Sequence, residues 1–200
     1  MALEQSWRWY GPNDPISLQQ IRQVGATGIV NALHQIPYGI IWTVDAIMER
    51  KRMIEAEGFR WTVVESLPVH ENIKKRKGNY KELIENYKIS IRNLGACGID
   101  TICYNFMPIL DWSRTDVDVP FDDGSRTTQF EARIVAAFDL FVLHRPGTEA
   151  RYTDAEIRSA QEYSDRLDRQ QKDGLLRMVV LGLPGSGETL TLEELKAALR

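Results

Sequence analysis

The chain is 200 residues long, the size of one medium domain or of a piece of a larger one, because domains cluster at roughly 100–200 residues. Apolar residues make up 43% and charged residues 26%, a balance that buries a core and excludes disordered, collagen-like and disulfide-scaffold classes. With 25 Lys and Arg against 28 Asp and Glu the net charge is −3, which offers nucleic acid no general attraction. The two cysteines, Cys97 and Cys103, and the lack of a basic-then-apolar leader fit a reducing cytoplasm. Charges interrupt every apolar stretch well short of the ~20 residues of a membrane span.

In chain order, Ser6 to Tyr10 reads as a strand that stops at the turn-forming cluster Gly11-Pro12-Asn13-Asp14-Pro15. Asp14 can cap a following helix with Pro15 in its first turn, and Leu18, Ile21 and Val24 recur at helical spacing up to Gly25. The pattern repeats: a strand at Gly28 to Leu33, then a helix capped by Thr43, carrying Val44, Ile47, Met48 and Ile54 and ended by Gly58. A third copy has a strand at Phe59 to Val64 and a helix with the face Tyr80, Leu83, Ile84, Tyr87, Ile91 and Leu94, stopping at Gly95/Gly98. A fourth strand is read at Thr101 to Met107.

Strands alternating with helices predict a parallel α/β sheet, either doubly wound or a (β/α) barrel, and periodicity does not choose between them. Residues 108–130 break the rhythm with Pro108, Pro120, Asp122, Asp123, Gly124 and Ser125. Helices are expected over 131–143 and 153–173, the second with Thr153 and Glu156 as a capping box. Leu175 to Leu183 reads as strand or helix, followed by a Gly-rich turn and a helix from Thr191. The expected division is 1–120 for the βα units and 121–200 for an irregular, mostly helical insertion. Four strands are too few for an eight-stranded barrel, so a barrel reading makes this chain about half of one.

In both parallel architectures ligands bind beyond the carboxyl ends of the strands. Those ends carry Arg8, Tyr10 and Asn13; Asn31 and His34; Glu65, Ser66 and His70; and Asn105, Asp111, Trp112 and Arg114. Cations, carboxylates, amides and imidazoles on one rim suit a small polyhydroxylated acid. Each alone is more often a loop hydrogen bond or a cap. His34 and His70 could ligate a metal or move protons but have no partner at a diagnostic spacing, and His144 reads as structural or superficial. Cys103 is expected in the core of its strand. The run Lys74-Lys75-Arg76-Lys77 is expected on a solvated loop.

Gly182-Leu183-Pro184-Gly185-Ser186-Gly187-Glu188-Thr189 matches a phosphate loop except at one position. There Glu188 stands where the lysine should meet the phosphates, so no nucleotide binding is expected.

Four longer segments, WRWYGPNDP at Trp7 to Pro15, GATGIVNALH at Gly25 to His34, WTVVESLPVHENIK at Trp61 to Lys74 and CYNFMPILDWSRTD at Cys103 to Asp116, together resemble the amino-terminal half of mannonate dehydratase. RPGTEARYTDAEI and LGLPG farther on are similar to that family's internal insertion. The resemblance implies a (β/α)8 TIM barrel, a homo-oligomer, and dehydration of D-mannonate to 2-keto-3-deoxy-D-gluconate with Mn2+ or Fe2+. It also implies that the His, Cys and Asp metal ligands lie in a carboxyl-terminal half, so none is assigned here. His34 and Glu65 become candidate catalytic groups, and Arg8, Tyr10, His70, Asn105, Asp111 and Arg114 candidate contacts for a small sugar-acid substrate. A metal-dependent sugar isomerase on the same barrel and a non-catalytic binding module are the alternatives. A chain that stops at Arg200 is expected to be catalytically silent, to hold no stoichiometric metal, and to be either partly disordered or self-associated, because half a barrel leaves unpaired edges.

Overall fold

The first strand and helix begin with a contest for backbone donors. In the computed structural model, which describes residues 3–107, 109–110, 113–180 and 191–199, β1 spans Ser6–Arg8 and α1 spans Leu18–Gln23. The expected cap at Asp14 is replaced by Ser17. Its hydroxyl accepts from the Gln20 N–H at 3.2 Å while Gln20 Oε1 accepts from the Ser17 N–H at 2.8 Å. Asp14 is already engaged, its two oxygens accepting from the Tyr10 and Ile16 N–H groups. It therefore shapes the turn after β1 instead of starting the helix.

The next units follow more directly. β2 is Gly28–Asn31, α2 is Val44–Ala56, capped by Thr43 as expected, and β3 is Arg60–Glu65. Then come a short helix α3, Glu71–Lys75, the long α4, Tyr80–Ala96, and a two-residue β4, Ile102–Cys103. All neighbouring strands pair in parallel in the order β1-β2-β3-β4. The order never reverses, unlike that of a doubly wound sheet, and crossovers of one hand place their helices on one face. Ile29, Trp61 and Val64 pack there with Ile21, Ile47, Ile54 and Leu94. Burying each such side chain contributes about 1.5–3 kcal/mol.

Two local expectations fail for identifiable reasons. Cys103 is exposed, because β4 is a two-residue edge strand with one neighbour; the buried thiol is Cys97, whose pKa burial pushes up. The basic run is not a loop: Lys74 and Lys75 end α3 and Arg76 caps it in the left-handed region. Lys74 Nζ is largely covered, 2.8 Å from Glu71 Oε1 and 3.1 Å from the Met107 carbonyl.

The chain divides into two compact units, Met1–Pro108 and Ile109–Arg200, ahead of the boundary expected at residue 120. The second contains a hairpin where an irregular excursion was expected, β5 (Asp116–Pro120) antiparallel to β6 (Arg126–Gln129), closed by Phe121 and Ser125. β5 does alternate, Asp-Val-Asp-Val, but over four residues only, and β6, Arg-Thr-Thr-Gln, has no apolar position to mark a face. Then come α5 (Ala132–Ala137), running into a π-helical turn at Phe138–Val142, α6 (Asp154–Asp165), α7 (Arg169–Val180) and α8 (Leu192–Ala198). The helix expected over 153–173 is two, since Asp168 starts α7 by accepting from the Gln171 N–H at 2.8 Å. The Thr153–Glu156 and Thr191–Glu194 boxes form as reciprocal caps. The Gly-rich segment at 182–189 lies outside the described residues.

Candidate active site

The sheet face away from the helices is furnished with small and polar side chains. Ser6 Oγ lies 3.3 Å from Thr62 Oγ1, and a methyl group at Gly28 would come within 2.5 Å of that same Ser6 oxygen. Side chains alternate along a strand, so Arg8, two residues past Ser6, shares this face. Glu65 would not, but for an irregularity. The β2–β3 register pairs Ile29 with Trp61 and then Val30 with Val63, leaving Thr62 as an extra residue. That β-bulge resets the alternation, so Val64 enters the core and Glu65 turns to the face of Arg8.

The outcome is a contiguous row across three strand ends, joined by one ion pair and two ring contacts. Arg8 Nη1 lies 2.8 Å from Glu65 Oε1, linking β1 to β3. The Arg8 guanidinium carbon stands 5.0 Å from the Tyr10 ring centre, within cation–π range, and the Tyr10 and His34 rings are 6.0 Å apart. Burial, then the charges of Arg8 and Arg50, hold the His34 imidazole below its ordinary value of 6.5. It is therefore a neutral ring near pH 7, able to accept a proton. His34 Nε2 and Arg8 Nε are buried without a hydrogen-bond partner among the described residues.

Four of the predicted residues, Arg8, Tyr10, His34 and Glu65, are thus brought together. His70 is spent differently: it caps α3, its Nδ1 accepting from the Asn72 N–H at 3.0 Å. Asn105 is half-buried two residues beyond β4, at the same end of the sheet. Arg114 belongs to the second unit, and Asp111 lies outside the described residues. Among the described residues no three His, Cys, Asp or Glu side chains converge as a metal ion requires.

Beneath the rim is a residue that the sequence reading passed over. Arg50 is 6% exposed. Its Nη1 donates to Asn31 Oδ1 at 2.8 Å and to the Ala32 carbonyl at 3.3 Å, and its Nη2 to Gln35 Oε1 at 3.3 Å. Its guanidinium carbon is 5.6 Å from the Trp9 ring, and Asn31, fully buried, donates its amide to the Trp9 carbonyl. The signal was present in the spacing: Arg50 shares the buried face of α2 with Ile47 and Ile54, a position where an apolar residue is expected.

The model of the D-mannonate dehydratase (UxuA) family matches residues 3–200. The chain belongs to the mannonate dehydratase family. A mannonate dehydratase of Marinomonas sp. (strain MWYL1) is 53% identical over 197 residues, 98% of this chain and 50% of that protein. One from Chromohalobacter salexigens is 50% identical over the same shares. The crystal structure of mannonate dehydratase from Streptococcus suis serotype 2 matches with a TM-score of 0.63 at 38% identity, covering 90% of this chain and 49% of that one. The chain spans about half the length of the curated mannonate dehydratases it matches.

Proposed function

We propose that the complete protein dehydrates D-mannonate to 2-keto-3-deoxy-D-gluconate on a (β/α)8 barrel to which β1–β4 belong. The unreversed strand order supports the barrel, since a singly wound sheet keeps its helices on one side and can curl around its other face. The observation that carries the function is the row Glu65–Arg8–Tyr10–His34 across three strand ends.

The reaction removes the proton at C2 and the hydroxyl at C3; the resulting enol becomes the ketone as C3 takes up a proton. The C2 proton is weakly acidic, so negative charge growing on the neighbouring carboxylate must be stabilised. Arg8 supplies a fork of donors for that carboxylate, oriented by its ion pair with Glu65. His34, held neutral, is the group placed to accept a proton, and Glu65 is the second candidate for proton transfer. Tyr10 and Asn105 are proposed contacts for the hydroxyls, and His70 can add only its Nε2 edge. Asp111 and Arg114 are proposed on the strength of their sequence motif alone. The family resemblance calls for manganese or iron(II). The described residues do not fit such an ion, so no step here is routed through one.

Incubating the full-length protein with mannonate and manganese should release a 2-keto-3-deoxy acid. A sugar isomerase would instead interconvert aldose and ketose without losing water, and detecting only that would overturn the assignment. His34→Gln and Glu65→Gln should each lower kcat about 100-fold or more while the protein stays folded. Near-normal turnover in both would make the rim structural.

A further inference from the structure

A buried guanidinium whose hydrogen-bond acceptors are all neutral is an expensive thing to keep in a core, even with the charge of Glu49 nearby. Arg50 sits on the apolar face of α2 and donates to an amide oxygen, a carbonyl and a second amide oxygen, with no carboxylate among them. Its partners are not scattered. Asn31 ends β2, Ala32 follows it, Gln35 is next to His34, and Trp9, beneath the guanidinium, follows β1. Every contact therefore reaches a segment that leads into the rim. The other charged and titratable groups facing His34 are Arg8 from β1, itself paired with Glu65 of β3, and Tyr10 from the turn after β1.

We propose that Arg50 is a positioning residue of the strand-end site: it ties the ends of β1 and β2 to the loop carrying His34 and places a fixed positive charge behind that imidazole. The proposal rests on the reading of the rim as the catalytic site. A lysine would keep the charge but could not hold three acceptors in one plane, and a methionine would keep the volume and lose both functions. A positive charge near an imidazole disfavours the imidazolium, so Arg50 adds to burial and to Arg8 in keeping His34 in the proton-accepting state.

The test is a ring-nitrogen NMR titration of His34 in the full-length protein, its signal assigned by loss in His34→Gln. The variants are Arg50→Lys, Arg50→Met and the double change Arg50→Met with Asn31→Leu, which leaves no amide oxygen unpaired where the guanidinium was but also removes the Asn31 bond to the Trp9 carbonyl; Arg50→Lys, which keeps both Asn31 and the charge, carries the test if either of the others fails to fold. Arg50→Met and the double variant should move the His34 midpoint upward and shift the acid limb of the kcat/KM profile to higher pH. Arg50→Lys should leave the midpoint near that of the parent yet lower kcat about ten- to a hundred-fold through misplacement. A midpoint indifferent to loss of the Arg50 charge, or full kcat in Arg50→Lys, would overturn the proposal. Full activity of His34→Gln would instead sink the reading of the rim, so the two failures are distinguishable.

Discussion

Gly11→Ala tests whether the guanidinium beneath the rim is as tightly held as its contacts require. Gly11 has φ +103°, where an L side chain is strained, a cost of about 1–3 kcal/mol. A methyl group there would lie 2.9 Å from Arg50 Nη1. The tip of a long side chain usually swings aside at little cost, but this one is buried and donates to Asn31 Oδ1 and the Ala32 carbonyl. Displacing it leaves Asn31 Oδ1 buried without its donor, about 1.5–3 kcal/mol for a bond to a charged group. Together the expected loss is about 2.5–6 kcal/mol. Gly25→Ala is the control: φ is +84° and the nearest atom, Gln5 Oε1, is at an ordinary 3.5 Å, so strain alone applies, about 1–2 kcal/mol. Urea unfolding followed by tryptophan fluorescence would compare the two. If Gly11→Ala costs no more than Gly25→Ala, Arg50 is free to move and the wedge between Gly11 and Asn31 does not exist.

Because His34 is held below 6.5 when folded, the unfolded chain binds more protons between the two values, and stability there rises with pH. The protein should lose stability as the pH falls below about 6.5, and His34→Gln should flatten that limb in urea titrations at stepped pH; an unchanged slope would refute the contribution. Ile29→Ala, at a fully buried position on β2, should cost about 2–5 kcal/mol, read as a lowered urea midpoint with the secondary structure intact.

The alternation of strands and helices was legible because three crossovers repeat one pattern of apolar helix face and glycine stop, and Thr43, Thr153 and Thr191 cap where their side chains predict. Glu65 and Arg8 could be placed at strand ends, but not on one face: that depends on the extra residue at Thr62, which only the register with β2 reveals. The five-residue α3 carries less than two turns of pattern, too few to separate from a loop. Arg50 was hidden for the opposite reason. Its spacing was right for the core, but a cation there reads as surface until the amide that receives it is known.

The coverage of Lys74 has a dynamic consequence for the rim. A helix as short as α3 frays readily, and one lysine from its last turn holds both Glu71 within it and the carbonyl of Met107 beyond β4. Opening that single turn therefore removes the Lys74 tie on the stretch that carries Asn105. The fourth strand end, two residues paired on one side only, is thereby coupled to local unfolding of α3 as well as to global unfolding of the sheet. The Arg8–Glu65 end, fixed between paired strands, stays in place through the same events.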